Sequence, residues 1–481
     1  MWTIFNEDLD RTARELWARQ QDFDNGRWTT EDLAAYQLAQ LRKTITYVKR
    51  NSPFYARRLA GVDPDVLCGT TPESLSAVPP TTKSDLREAM YDIVSRPLSA
   101  ARIFYETTGT TGRTTPCPRD DIDMLVNDFV LTSAYGKILQ SAAADGIVAI
   151  SGPTEVHAFG DTFGDVCHNL GLSSVKLWPH SPMVGFDRAL DLLTELPIRA
   201  MFCTPGMALT LAKKVFSRGL DPRDLGVNVL MLTGELASPA LLEGIGTLWG
   251  AQSYNALYAS QEASVLGASH ADGRMRCASL TNLYEVLDPI TGQALTPDSH
   301  GEMRGELVVT ALYQGAKPLV RYRTGDLVRL EAPSGMSGGT TPVSARAPII
   351  EVLGRIRDEL WLGEQSITGY DLEDTLLRDL RGYMDFQIVI DQWRGRDHVT
   401  LRLQPVPERF GVPLEGSEAV AQRAGERLGI EIDIEQAELG QITSTGAMVS
   451  WKAARIVDNR EAGVDHERQA ALSITGAREA R

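Results

Sequence analysis

The sequence predicts an α/β protein: a large N-terminal α/β domain of mainly parallel sheet with a β-rich subdomain, and a small C-terminal α/β domain. Three observations carry this prediction. Between about 120 and 270, helix-like segments alternate with the short apolar runs GIVAIS, IRAMFCTP and VNVLMLTGE. Such runs, bounded by Gly, Pro or Asp and separated by helices, read as buried strands of a parallel sheet covered on both faces. From 283 to 330 the segments LYEVLDPITG, GELVVTALY and DLVRLE alternate like antiparallel strands joined by Gly-containing turns. After LGRIRDEL a second, smaller set of helices and strands begins. At 481 residues the chain exceeds one ordinary core, so two or more domains are expected.

Taken in chain order, residues 31–58 carry apolar positions at helical spacing and read as one long amphipathic helix. The stretch 105-YETTGTTGRTTPCPRD-120 follows, with six Thr and two Gly between Tyr105 and Pro116. Small hydroxyl residues broken by glycine make a poor helix and a poor strand, but a good loop whose amides and hydroxyls can face a phosphate chain. A plain Thr-rich surface turn is the competing reading. The helices of the next region are DMLVNDFVLTSAYGKIL, DRALDLLTEL and GMALTLAKKVFSRG. PSGMSGGTTPVSARAP (333–348) reads as a mobile loop. A boundary near Arg357 divides a domain of residues 1–356 from one of 357–460, with helices YDLEDTLLRDL and EAVAQRAGERL and strands FQIVIDQW, HVTLRLQP and IEIDIE. Residues 461–481 are polar, with little apolar periodicity, and read as a flexible tail.

A net charge of −15 argues against non-specific nucleic-acid or anionic-membrane binding, so an anionic ligand needs a local cation or a metal ion. The five cysteines (Cys68, Cys117, Cys167, Cys203, Cys277) include no CxxC pair, which fits reduced thiols and a cytoplasmic location. No apolar run approaches membrane-spanning length, and the charged N-terminus is unlike a secretory signal. His157, Cys167 and His168 are tempting metal ligands, but an adjacent Cys-His pair does not easily chelate one ion, so a core or pocket-wall role is expected.

Several stretches, in order, line up with one family: LRKTITYVKRNSPFYARRL, TTGTTGRTT, CTPGMALTLAKK, LTGE, YASQE, EVLDPITGQAL, GELVVTAL, PLVRYRTGDL, LGRIRDEL and WKAARIVDNR. On these the chain resembles the phenylacetate–CoA ligase branch of the adenylate-forming superfamily, which also holds acyl-CoA synthetases, adenylation domains and luciferases. The resemblance implies a mobile small domain and an AMP-forming ligase that uses ATP and Mg²⁺. It implies that Thr107, Thr108, Gly109, Thr110, Thr111 and Gly112 wrap the ATP phosphates, with Arg113 where the family usually has Lys. It gives Tyr258 to adenine and Glu262 to Mg²⁺, Asp326 to the ribose hydroxyls and Arg355 to a place beside them. Glu235 matches an acid on the nucleotide side of the pocket. Lys452 matches the lysine that bridges the substrate carboxylate and the α-phosphate, where an ammonium offsets charge building at phosphorus. By alignment His157, Phe159, Thr204, Met207, Thr233 and Gly234 line the pocket for a small aromatic acid. A homodimer is common in such ligases.

Three departures fall on the second half-reaction. Arg357 stands where the family hinge has Asp, Gly363-Glu364 where it has Arg-Gly, and Trp451 where it has Gly before the lysine. A carboxylate in place of glycine adds bulk and charge where backbone passes close to a ligand. CoA is therefore doubtful as acceptor, and a nitrogen nucleophile, in amide- or diazo-forming chemistry, is the alternative. A merely divergent loop that still admits CoA is the simpler version, and a nucleotide-binding pseudoenzyme is a third reading.

Overall fold

The computed structural model describes residues 3–107, 114–332, 345–438, 442 and 455–460. Of the sequence-based expectations, the loop residues 108–113, most of the 333–348 segment, Trp451, Lys452 and the 461–481 tail lie outside the described residues.

The chain forms two compact units. The first comprises residues 1–138, 154–171 and 257–352. Its centre is a seven-stranded sheet in the spatial order 282–287, 302–311, 322–331, 349–355, 275–277, 264–269, 257–260. The antiparallel register expected for LYEVLDPITG and GELVVTALY is present, with Asn282 opposite Ala311 and Leu287 opposite Glu306. Leu41, Ile45 and Val48 from a helix pack with Leu307, Val309 and Val328 from the sheet in one apolar cluster. That helix is shorter than expected. It runs Thr30–Asn51 behind a capping box of Thr29 and Asp32, and a separate turn of helix, Pro53–Arg58, follows. The break has a local cause: Ser52 is extended, its side chain accepts from the Tyr55 amide, and Pro53, which lacks an amide hydrogen, takes the first helical position.

The second unit comprises residues 139–153, 172–256 and 353–481. It holds the expected parallel sheet, five strands in the order 173–176, 147–150, 198–203, 229–232, 252–255, every neighbouring pair parallel. Helix Pro205–Ser217 buries Met207, Leu211 and Val215 against it. The C-terminal strands form a four-stranded sheet ordered 431–436, 396–405, 383–393, 456–458. Compactness thus groups the residues after 353 with the parallel sheet instead of separating them at Arg357. One reason is specific. The N-terminus of helix Pro239–Trp249 is capped by carboxylates of helix Gly369–Leu377: Glu373 accepts from the Ser238 amide at 3.0 Å and Asp374 from the Ala240 amide at 3.1 Å.

Candidate functional site

In the first unit, strands Ile103–Glu106 and Pro116–Arg119 form an antiparallel hairpin that carries the Thr/Gly loop. Thr107 and Thr115 close its base, the Thr107 amide donating to the Thr115 carbonyl at 3.2 Å and the Thr115 amide to Thr107 Oγ1 at 3.0 Å. Thr107 Oγ1 thus accepts from the backbone of the opposite arm, and its hydroxyl still has a proton to donate. Two buried cations fasten the second arm to the rest of the unit. Arg119 donates to the Gln261 carbonyl at 2.6 Å. Lys317 donates to the Pro116 carbonyl at 2.9 Å and lies 3.3 Å from Cys117 Sγ.

Gln261 and Glu262 sit in the turn between strands Leu257–Ser260 and Ser264–Ser269. Glu262 is buried, and Lys83 Nζ stands 3.2 Å from its Oε1. Burial pushes its carboxyl pKa up, but Lys83 and Lys317 outweigh burial and hold it below the ordinary carboxylate value. Among the described residues, Gln261 Nε2 and Thr115 Oγ1 are buried with no hydrogen-bond partner. Buried polar groups are normally satisfied, so each of these atoms is one that an added polar partner could satisfy. The Tyr258 hydroxyl donates to Asp326 Oδ2 at 2.7 Å. Both are buried, Tyr258 at 8 % exposure.

The remaining candidates fall in two groups. His157 and Phe159 belong to the first unit. Burial pushes the His157 pKa down to about 4, and its Nδ1 accepts from the Phe159 amide at 3.2 Å, which makes it a neutral acceptor. Cys167 is buried with its thiol pKa raised to about 12, and no group of three or more His, Cys, Asp or Glu among the described residues could hold a metal ion. In the second unit Thr204 and Met207 follow strand Ile198–Cys203, while Thr233, Gly234 and Glu235 follow its neighbour Val229–Leu232. Residues beyond the carboxyl ends of adjacent parallel strands line the crevice where open α/β sheets bind ligands. Thr204 caps helix Pro205–Ser217 by accepting from the Met207 amide at 3.1 Å. The Met207 side chain is 1 % exposed and belongs to an apolar cluster that also holds Met201, Leu211 and Leu230. Glu235 Oε2 accepts from the Gly206 amide at 2.9 Å, and a Cβ at Gly206 would come within 3.0 Å of that oxygen. Burial raises the Glu235 carboxyl pKa against the pull of Arg455.

Arg355 ends the strand Ile349–Arg355 and is exposed. Gly363 and Glu364 form the two-residue turn between strands Leu360–Leu362 and Gln365–Ile367. Gly363 has φ +59°, and the Glu364 side chain is exposed. Lys83, Arg119 and Lys317 were not singled out from sequence. Among the described residues no helix is long and apolar enough to cross a membrane.

No protein-family model matches the chain. Among curated proteins it is similar to phenylacetate–coenzyme A ligases. That of Thermus thermophilus is 28% identical over 396 residues, covering 79% of this chain and 83% of the relative. That of Pseudomonas putida is 28% identical over 379 residues, covering 73% and 76%. That of Escherichia coli is 25% identical over 456 residues, covering 90% and 96%. Among solved structures, a 2-hydroxyisobutyryl-CoA ligase in the postadenylation state, in complex with 2-HIB-AMP, shares the fold with a TM-score of 0.69 at 21% identity over 92% of each chain.

Proposed function

We propose that this chain is an AMP-forming ligase of the phenylacetate–CoA ligase-like branch of the adenylate-forming superfamily, which activates a small aromatic carboxylic acid with ATP and passes the acyl group to CoA. In the first step a carboxylate oxygen attacks the α-phosphorus, a C–O–P bond forms, the bond to the β-phosphate bridge breaks and pyrophosphate leaves. In the second, the CoA thiolate attacks the acyl carbon and AMP departs.

The observation that carries this reading is the single network joining the hairpin of the Thr/Gly loop, the Glu262 turn and Lys317. Thr107, Thr108, Gly109, Thr110, Thr111, Gly112 and Arg113 would hold the phosphates, and Tyr258 with Asp326 the nucleoside. Glu262 and the phosphates would hold Mg²⁺, since a single carboxylate with substrate phosphates is a common Mg²⁺ ligand set; the ion would neutralise phosphate charge. Lys83 at 3.2 Å keeps that carboxylate ionised. Arg355 would stand at the nucleotide, and Glu235, Thr233 and Gly234 at the acid pocket. Residues 357–460 would supply Lys452, and the enzyme would work in the cytoplasm.

The depressed Glu262 pKa has a testable sign. A carboxylate whose folded pKa lies below its unfolded value, about 4.3, is charged throughout the neutral range, and its contribution is lost as pH falls through the folded pKa. Lys83→Met removes one of the two cations and is expected to move the acid limb of the pH–rate profile upward, as measured by initial rates between pH 4 and 8. An unchanged limb would remove Lys83 from this role.

The acceptor is tested by supplying ATP, an accepted acid and one of CoA, an amine or nitrite. The expected products are AMP, pyrophosphate and a thioester, formed with CoA. Product formed with a nitrogen nucleophile and not with CoA would replace this acceptor, and Glu364 would then become the first residue to revert to glycine.

A further inference from the structure

The first unit holds three carboxylates that the proposed reaction does not use. Asp128 lies on helix Asp121–Ala142, and Asp161 and Asp165 lie one turn apart on helix Phe159–Asn169. Asn169 Nδ2 donates to Thr132 Oγ1 at 3.4 Å between these helices, and one turn earlier on each stand Asp165 and Asp128. Asp128 is 3 % exposed, and among the described residues neither of its carboxyl oxygens has a hydrogen-bond partner. Burial first, and then the Asp165 charge, push its pKa up to about 8. Leaving a buried carboxyl unpaired costs stability, so Asp128 calls for a partner.

The group lies beside the elements assigned to the reaction. Tyr105, in the first arm of the hairpin that carries the Thr/Gly loop, donates its hydroxyl to Asp161 Oδ2 at 3.0 Å. The next amide along that arm, of Glu106, donates to the Val156 carbonyl at 3.3 Å, adjacent to His157. Helix Phe159–Asn169 itself starts at Phe159, which with His157 is expected to line the acid pocket. Asp161 is thus engaged by Tyr105, while Asp128 is open. Carboxyl oxygens beside a second carboxylate repel an anion, so the carboxylate of the substrate does not belong here. No group of three or more His, Cys, Asp or Glu among the described residues could hold a metal ion. An amino group fits: its N–H donors meet the open oxygens, and in its protonated form it also offsets the like charges of Asp128 and Asp165. We propose that Asp128, assisted by Asp165, is a specificity-determining residue that selects an aromatic acid bearing an amino group. This rests on the proposed activation of an aromatic acid.

The test measures acid-dependent exchange of labelled pyrophosphate into ATP, in the full chain and in Asp128→Leu. Benzoates and phenylacetates are supplied in pairs of equal size, one member bearing an amino or aminomethyl group and the other methyl or ethyl. The expected result for the wild type is a kcat/KM at least about tenfold higher for the amino member, since a site built to bond N–H rejects the analogue that lacks it. In Asp128→Leu the ratio is expected to fall to about one or to reverse. Thermal melting shows whether the variant folds. Should it not fold, Asp128→Asn, which removes the charge and one acceptor oxygen, carries the same comparison. A wild type that accepts both members equally, or a preference that the Asp128 variant leaves unchanged, would overturn the proposal while acid activation stands. No exchange with any acid, in protein that binds ATP, would remove acid activation and this proposal together.

Discussion

Lys452→Ala is expected to lower acid-dependent pyrophosphate exchange by about 10²–10³-fold, the usual cost of removing one preorganised group aimed at developing charge. ATP affinity, measured by isothermal titration, is expected to change little. The asymmetry follows from the chemistry assigned to the residue. In the proposed reading the ground-state phosphates would be held by the Thr/Gly loop and Arg113. The ammonium becomes important when the carboxylate and the α-phosphate approach and their charges must coexist. Interactions stronger in the transition state than in the ground state act on kcat, not on binding. An equal loss of binding and rate would make Lys452 an ordinary phosphate ligand.

Glu285→Ala is expected to destabilise the first unit by about 3–5 kcal/mol, because it strands a buried guanidinium. Arg321 donates to both oxygens of Glu285, at 2.9 and 2.8 Å, and to the Val78 and Leu75 carbonyls at 2.6 and 3.1 Å. Both side chains are buried, at 9 % and 3 % exposure. Burial raises the Glu285 carboxyl pKa even with Arg321 against it, so the pair is held by its geometry more than by a net electrostatic gain. The double substitution Glu285→Leu with Arg321→Met is therefore expected to cost clearly less than Glu285→Ala alone, as urea denaturation would show. Arg321 begins the RYRTGD stretch that presents Asp326, so nucleotide affinity should fall together with stability in the single variant. Stability equal in single and double variants would mean the pair is not coupled.

The interior strands were legible because their sequences are continuous apolar runs: IRAMFC and VLML are buried almost throughout. The two edge strands of the same sheet, Ser173–Lys176 and Gln252–Asn255, escaped notice. SSVK and QSYN face solvent on much of their surface and need no apolar run. The helix break at Ser52 was visible in principle as Ser-Pro, and the apolar periodicity running across it hid the signal. In the candidate site, Tyr258, Glu262 and Asp326 were expected from motif resemblance, and the structure adds the Tyr258–Asp326 bond. The cations that support them could not be found that way, since their partners are remote in sequence. Arg119 reaches a carbonyl 142 residues away and Lys317 one 201 residues away. Only the fold brings them together.

The central claim is that this chain joins a carboxylic acid to AMP. Exchange of labelled pyrophosphate into ATP, run without CoA across benzoates, phenylacetates, cinnamates and amino-substituted aryl acids, tests it most directly. The account predicts label in ATP with a narrow set of these acids and none without an acid. Absence of exchange with every acid, in protein shown to bind ATP, would contradict it.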